Sequence, residues 1–356
     1  MSEILGLGCT HYPGLLSPEE QLPGLFHRLL TAPNVLARYK EPANWPAELL
    51  GELGNDGGLA AAHRYGERMA NGFRAVRKAL HEFDPDIVLV WGDDQYENFR
   101  EDIIPAFCVL GYDDDFSVKP WSTGNGGGKP NRWNEPADWT LDLHGHRDAA
   151  KYLATGLIER GVDVAYAYKP LHHPLAHAFT NTFLYLDWDR RGFPYPVVPF
   201  AINCYGSNLL HAKGGTSALF MPPRPETEMP DPPSPHPWRC MEVGAAIADT
   251  FAGSPWRVAV IASSSWSHCF LSPTNGYLWP DHKADRFMFE TLSRGDYDAW
   301  RTRSLKDMEA AGQHEMLNWM ALAGAMEKLG RREPIVYDYV ETHIFASEKC
   351  FVAYSA

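Results

Sequence analysis

Side chains that can bind a metal ion or transfer protons follow the short apolar runs of this sequence. The residues concerned are His11, Asp94, Gln95, Ser265 and His268. Imidazole and carboxylate groups are common ligands of transition metals, and imidazole also acts as a general acid or base near neutral pH. If these residues meet at one edge of a sheet, they form a site for metal binding or acid–base chemistry.

A second group of imidazoles lies in the segment 171–179, which contains His172, His173 and His177. Pro174 follows the first two, which we place in a loop, whereas His177 is predicted to begin a helix. The three histidines could equally be structural residues that bond to backbone carbonyls. The segment alone leaves both interpretations open.

The apolar runs have the composition and length of buried strands, and longer helical patterns alternate with them. This order is typical of βαβ units in a largely parallel sheet, whose ligands bind beyond the carboxyl ends of the strands. We therefore predict an α/β fold, with a central mostly parallel sheet and helices on both faces. The predicted strands are Ile4–Cys9, Ile87–Trp91, Val162–Tyr168, Val197–Cys204 and Val258–Ser263.

The helical patterns place apolar residues three and four positions apart. The last is predicted as one long helix that begins after Ser304 as N-cap and ends at Gly330. The predicted helices are Gly57–Glu82, Arg147–Arg160, Arg239–Phe251, Ala284–Ser293 and Leu305–Leu329.

The whole chain, 1–356, is interpreted as one catalytic domain. Two stretches, about 111–142 and 222–237, are rich in glycine or proline and are predicted to be long surface loops. The first contains three tryptophans, which is unusual for a flexible linker between domains.

The chain carries a formal net charge of −13 and has a pI near 5.6. Such a charge argues against general binding to nucleic acid or to anionic membranes, because both need a basic surface. The six cysteines form no CxxC pair and are predicted to be reduced thiols. Without a signal-peptide pattern or a membrane-length apolar run, a cytoplasmic location is the expectation.

Short motifs in order along the chain resemble the class III extradiol ring-cleavage dioxygenases, in the LigB-like catalytic (beta) subunit family and its methylgallate-dioxygenase-like branch. They include Gly-x-Thr-His-Tyr-Pro-Gly around His11, Gly-Asp-Asp-Gln ending at Gln95, and His-Ala-Phe-Thr-Asn-Thr from His177. Ser-Trp-Ser-His ends at His268, and Ala-Asp-Arg-Phe begins at Ala284. The resemblance implies the LigB-like fold and an enzyme that opens aromatic rings.

The family binds Fe(II) through two histidines and one glutamate, so the resemblance makes His11 the first ligand and His177 the acid–base catalyst. At the second ligand position this sequence has Asp94 or Gln95. Where the glutamate is expected it has His282 and Lys283. We therefore predict a rearranged iron site of His11, Asp94 and His282.

The other predicted roles surround that site. His268 joins His177 as a catalytic residue, and the substrate-binding residues are Gln95, His173, Ser265 and Lys283. The substrate implied is a small catecholic or methoxylated aromatic acid that reacts with O₂, its carboxylate held by Lys283. A homo-oligomer, as a dimer, is expected.

Two alternatives remain open because two of the three expected ligands are substituted. The chain could be a metal-independent relative that uses His177 as acid or base in a different reaction. It could also be a non-catalytic subunit that keeps the fold alone.

Overall fold

The computed structural model describes residues 3–113, 115–122, 129–214 and 224–356. Within them, one eight-stranded sheet and one two-stranded sheet account for the strands. The strands are β1 (Ile4–Cys9), β2 (Ile87–Asp93), β3 (Phe107–Leu110), β4 (Asp115–Val118), β5 (Leu141–His144), β6 (Ala165–Ala167), β7 (Val197–Ile202), β8 (Val258–Ser263), β9 (Ile335–Val340) and β10 (Lys349–Ala353).

The large sheet has the order β6-β3-β7-β2-β8-β1-β10-β9. Its centre, β7-β2-β8-β1, is parallel throughout, while β10 pairs antiparallel with both β1 and β9. The carboxyl ends of the four central strands therefore lie at one edge. The start of β10 lies at that same edge because β10 runs the opposite way.

Helices cover both faces of the sheet, and its central strands are fully buried, as expected for a parallel sheet packed on both sides. Long helix α4 and helix α6 pack on one face, and α8 and α12 pack on the other. The helices are α1 (Gly24–Leu30), α2 (Ala37–Lys40), α3 (Ala47–Leu53), α4 (Leu59–Phe83), α5 (Arg147–Glu159), α6 (His177–Leu186), α7 (Asn208–Ala212), α8 (Pro237–Ala252), α9 (His282–Ser293), α10 (Tyr297–Arg301), α11 (Leu305–Ala310) and α12 (Met316–Lys328).

The predicted fold class is confirmed: an α/β structure with a large, mostly parallel sheet and helices on both faces. The strands predicted at Ile4–Cys9 and Val258–Ser263 have the predicted bounds. Strands β3, β9 and β10 were not predicted. β9 alternates exposed and half-buried residues, so it lacks the continuous apolar run by which the central strands were recognised.

The single helix predicted over Leu305–Leu329 is wrong, because the segment forms two helices, α11 and α12, with a break between them. Gly312 in the break has φ of +73°, a conformation that favours glycine. A Cβ there would also lie 2.4 Å from the carbonyl oxygen of His268. The break brings the chain against the loop after β8, and it ends at Glu315.

Of the predicted surface loops, the stretch 111–142 contains the hairpin-like pair β4 and β5, which was not predicted. Residues 114, 123–128 and 222–223 of the two loops lie outside the described residues. The single-domain assignment of 1–356 stays a prediction. Among the described helices, none combines the length and apolar character needed to span a bilayer.

Candidate metal centre

His11, Asp93 and Glu315 converge at the carboxyl edge of the sheet. His11 follows β1, Asp93 is the last residue of β2, and Glu315 immediately precedes α12. Nε2 of His11 lies 3.5 Å from Oδ1 of Asp93 and 3.5 Å from Oε2 of Glu315. All three side chains are buried, so one imidazole and two carboxylates face one another without solvent.

The hydrogen bonds around this group leave three ligand atoms pointing at a common centre. Nδ1–H of His11 donates to the carbonyl oxygen of Ser263 at 2.8 Å, which leaves the lone pair of Nε2 facing the carboxylates. Oδ1 of Asp93 and Oε2 of Glu315 are buried with no hydrogen-bond partner. Buried polar atoms are rarely left unpaired, so these orphaned oxygens and the free imidazole nitrogen fit a divalent cation.

The remaining carboxylate oxygens are held in place by neutral donors. Nε2 of Gln95 donates to Oδ2 of Asp93 at 3.0 Å and to Oε1 of Glu315 at 3.1 Å. The hydroxyl of Tyr205 donates to the same Glu315 oxygen at 2.5 Å. Burial, followed by the nearby charge of Asp93, raises the pKa of Glu315 well above its usual range. A bound cation would offset the cost of ionising both acids in this site.

His177 lies beside this group as the first residue of α6. Its ring packs edge-on against His11, with 5.3 Å between ring centroids. Nδ1–H of His177 donates to Oε2 of Glu97 at 2.7 Å, and the backbone N–H of His177 also donates to Glu97. Because the Glu97 carboxylate accepts from both the backbone N–H and the ring Nδ1–H of His177, the ring is held in place. Nε2 is the ring nitrogen that Glu97 does not engage.

Opposing effects set the charge of His177. The positive end of the α6 dipole favours the neutral form of this imidazole. Burial acts in the same direction, but the charge and hydrogen bond of Glu97, with the charges of Asp93 and Glu315, together outweigh it and raise the pKa of His177 to about 9. Glu97 is therefore the counter-ion of the protonated form of this imidazole.

His268 reaches the same group from the loop after β8. Its Nδ1–H donates to the carbonyl oxygen of Trp266 at 2.8 Å, and its Nε2 lies 3.4 Å from Oε1 of Glu315. Burial, together with the neighbouring His11 and Lys349, lowers the pKa of His268 to about 3. His268 is therefore a neutral imidazole whose unprotonated nitrogen faces the carboxylate cluster.

The structure does not bring Asp94 and His282 together with His11, as the predicted ligand set requires. The Asp94 carboxylate accepts hydrogen bonds from the backbone N–H groups of residues 97–99, so it shapes the following turn, and Asp93 faces His11 instead. His282 bonds to Glu348 in a separate group that also contains Glu341.

Of the four predicted substrate-binding residues, Gln95 and Ser265 lie at or next to the candidate metal centre, whereas Lys283 lies on the exposed surface of α9. Gln95 bonds directly to Asp93 and Glu315. The Ser265 hydroxyl lies 2.8 Å from the hydroxyl of Thr10, the residue before His11. Nδ1–H of His173 donates to the carbonyl oxygen of Leu175, while its Nε2 is buried without a partner. Lys283 is exposed at the second position of α9. Their substrate-binding roles stay predictions.

Sequence reasoning missed Asp93, Glu97 and Glu315 as site residues. Asp93 was passed over because the motif resemblance placed the second ligand at Asp94 or Gln95. Adjacent residues at a strand end face opposite sides, and the structure turns Asp93 toward His11. Glu315 was hidden inside the predicted continuous helix. The motif Gly312-Gln313-His314-Glu315 carried the available signal, because a glycine inside a helical pattern often marks a break.

Comparison with known proteins supports the resemblance read from the motifs. Residues 231–351 match the family described as "Catalytic LigB subunit of aromatic ring-opening dioxygenase". This segment contains His268 and Glu315, and it begins after His11, Asp93 and His177, the other residues of the site.

Several curated relatives carry the name 2,3-dihydroxyphenylpropionate/2,3-dihydroxicinnamic acid 1,2-dioxygenase. The protein from Photorhabdus laumondii is 23% identical over 212 residues, which are 59% of this chain and 51% of the relative. The one from Paraburkholderia xenovorans is 28% identical over 54% of this chain and 46% of its own. The relative from Paraburkholderia phymatum is 26% identical over 72% of this chain and 80% of its own.

The matched region spans about half the length of the first two relatives and 80% of the length of the third. The narrower likeness to the methylgallate branch stays a prediction. The broader resemblance is confirmed: the chain is similar to the LigB-type aromatic ring-opening dioxygenases.

Proposed function

We propose that this protein is a non-heme Fe(II) extradiol-type dioxygenase that opens the ring of a small catecholic aromatic acid. The observation that carries the proposal is the buried group of His11, Asp93 and Glu315, in which two carboxylate oxygens have no hydrogen-bond partner. The related dioxygenases add the reaction class, since the group alone fits several divalent metals.

His11, Asp93 and Glu315 are the proposed ligands of the ion. Imidazole nitrogen with carboxylate oxygen suits Fe(II), and such an ion supplies the open positions at which a catecholic substrate and O₂ meet. The set has one imidazole where the resemblance implied two. The neutral Nε2 of His268, 3.4 Å from Glu315, is a candidate for a second imidazole ligand.

His177 is the proposed acid–base residue. Ring opening requires a substrate hydroxyl to lose a proton and a proton to return later. The charges of Asp93 and Glu315 help to raise the pKa of His177, so neutralising them with a bound cation would let this one imidazole serve both steps. The hydrogen bond from Nδ1–H to Glu97 leaves Nε2 for that exchange. Glu97 also stabilises the charged form of the ring, which favours proton donation.

The proposed substrate is an aromatic acid with two adjacent hydroxyl groups. Two features support this class: the names of the relatives, which specify a dihydroxylated aromatic acid, and a polar cluster beside an acid–base residue that can bind the hydroxyl groups of such a substrate. O₂ is the second substrate. Assembly as a homodimer remains part of the proposal.

The direct test is oxygen uptake by protein purified without oxygen and reloaded with Fe(II). We expect uptake with 3-(2,3-dihydroxyphenyl)propionate, weaker uptake with 3-propylcatechol, which lacks the carboxylate, and none with the corresponding monophenol. Product absorbance and mass should show insertion of both oxygen atoms into the opened ring.

Two results would contradict the proposal. Full turnover by protein shown to contain no metal would favour the metal-independent alternative. Absence of uptake across a wide catechol panel, in protein that holds one equivalent of iron, would favour a different reaction or a non-catalytic role.

A further inference from the structure

A second group of potential ligands lies at the same sheet edge, away from the candidate metal centre. It consists of His282 at the start of α9, Glu341 directly after β9 and Glu348 directly before β10. One ligand atom from each lies within 4.8 Å of the other two. Among the described residues, this group and the His11 group are the sets of three that meet this geometry.

From this arrangement we propose a second divalent-cation site, of the imidazole–carboxylate kind that binds Zn(II), formed by His282, Glu341 and Glu348. Zn(II) is bound in proteins by histidine nitrogen and glutamate oxygen, most often with four ligands. The site would join three separate pieces of chain: a helix start, the end of one strand and the start of the next.

Burial supports the proposal. The Glu348 side chain is 0% exposed, and its hydrogen-bond partners are Nδ1 of His282 and the hydroxyl of Tyr339. Nε2 of His282 is buried and has no hydrogen-bond partner. A buried carboxylate is costly without a counter-charge. A divalent cation in place of the proton between Nδ1 of His282 and Glu348 would supply that charge.

A fourth donor stands next to these three. The ring of His343 lies 4.1 Å from that of His282, centroid to centroid. Nδ1 of His343 bonds to Oε1 of Glu52 at 3.0 Å, so Nε2 is the nitrogen of that ring not engaged by Glu52. His343 lies outside the set of three whose ligand atoms are all within 4.8 Å of one another, so it borders the proposed site.

Two cationic side chains, Arg286 and Lys349, lie near the proposed site, but neither occupies the position of the ion. Arg286 binds Glu341 from the solvent side, with Nε–Oε2 at 2.6 Å and Nη2–Oε1 at 2.5 Å, and a carboxylate has lone pairs left for a metal. The ammonium of Lys349 donates to the carbonyls of Ser347 and Phe345 and lies over the ring of Tyr12. Neither replaces an ion among the three ligands.

Metal counting with Zn(II) alone tests the inference. Protein stripped of metal and titrated with Zn(II) against a chromophoric chelator should bind two equivalents. His282→Ala should lose one of them and keep the other, and His11→Ala should show the reverse loss. The double variant should bind none. Glu290→Gln, on an exposed position of α9, is the matched control and should keep both.

A single equivalent in the wild type, unchanged by His282→Ala, would overturn the second site. Should circular dichroism show that His282→Ala is unfolded, Glu341→Gln decides instead, because Glu341 is 29% exposed and tolerates substitution better than Glu348. The inference is independent of the proposed dioxygenase activity. If the His11 site does not bind Zn(II), His11→Ala will lose no equivalent; if the second site does not bind Zn(II), His282→Ala will lose none.

Discussion

The two ligand groups at the sheet edge have the same composition, one imidazole and two carboxylates, but very different surroundings. The His11 group is fully buried, and two of its oxygens have no partner. In the His282 group, Glu348 is buried while Glu341 is partly exposed and bound to Arg286. The first group lies beside the hydrogen-bonded pair of His177 and Glu97, and the second lies beside the similar pair of His343 and Glu52.

This difference separates the roles of the two groups. A reactive centre needs open positions, exclusion of water and a proton donor within reach, and the His11 group is built on parallel strand ends where such sites usually form. The His282 group joins α9 to the loop between two antiparallel strands. The backbone oxygen of its Glu348 also accepts from Trp266, next to the loop that carries His268. We therefore expect the first group to control turnover and the second to control stability.

The largest expected effect is the loss of activity when the first group is broken. Glu315→Gln keeps the shape of the side chain but removes its charge, so Fe(II) binding at this site should be lost and ring cleavage should fall to background. Iron analysis and oxygen uptake measure both. His63→Ala, an exposed histidine paired with Glu19, is a control that should change neither.

Retention of iron and turnover by Glu315→Gln would contradict the assignment of this residue as a ligand. The corresponding change in the second group, Glu341→Gln, should leave turnover unchanged while lowering the melting temperature measured with Zn(II). An equal loss of activity from both variants would remove the functional distinction between the groups.

His177→Ala should have the next largest effect. Loss of a general acid–base residue typically lowers kcat by ~10²–10⁴-fold, while iron content and substrate KM change little. His172→Ala is the matched control, because His172 lies in the preceding loop and pairs with Asp102. If His177→Ala loses its iron, His177 is a ligand and the roles at the site must be reassigned.

The first group shows how far the sequence could lead. The central strands are continuous apolar runs, so their positions and the edge at which His11, His177 and His268 meet could be predicted. Which of Asp93 and Asp94 faces that edge depends on strand register, which a single sequence does not specify. Glu315 could not be placed because the break at Gly312 depends on contact with His268, about 40 residues away along the chain.

The second group was harder to recognise for a related reason. Its residues belong to α9 and to the antiparallel strands β9 and β10, and β9 has no continuous apolar run. Resemblance drew attention to His282, but as a ligand of the first group. Its actual neighbours, Glu341 and Glu348, come from a loop that local patterns do not place near α9.

Glu97→Gln should produce a smaller loss of turnover than His177→Ala. Glutamine can still accept the hydrogen bond from Nδ1–H but carries no charge, and removing such a supporting partner costs about 10–100-fold in activity. Because Glu97 raises the pKa of His177, its loss should move the His177 limb of the pH–rate profile to lower pH. Glu101→Gln, an exposed neighbour, should leave the profile unchanged. An unshifted limb would mean that Glu97 does not tune His177.

The smallest expected effect on turnover, with a clear effect on stability, belongs to Glu52→Gln beside the second group. The Glu52 carboxylate accepts hydrogen bonds from the backbone N–H groups of His343 and Ile344, from Nδ1–H of His343 and from the hydroxyl of Thr342. Loss of hydrogen bonds to a charged group should reduce the free energy of unfolding by roughly 1.5–3 kcal/mol at pH 7.

The pH dependence of that loss identifies its cause. Burial would raise the pKa of Glu52, but the hydrogen bonds from His343 outweigh it and lower the pKa. A carboxyl whose pKa is lower in the folded state adds stability above its unfolded pKa of about 4.3 and loses that contribution as pH falls through the folded value. The difference between wild type and Glu52→Gln in urea denaturation should therefore be full at pH 7 and shrink in acid. Glu48→Gln, on the exposed side of the same helix, should show little difference at any pH. A difference that stays constant with pH would show that shape, and not charge, makes Glu52 important.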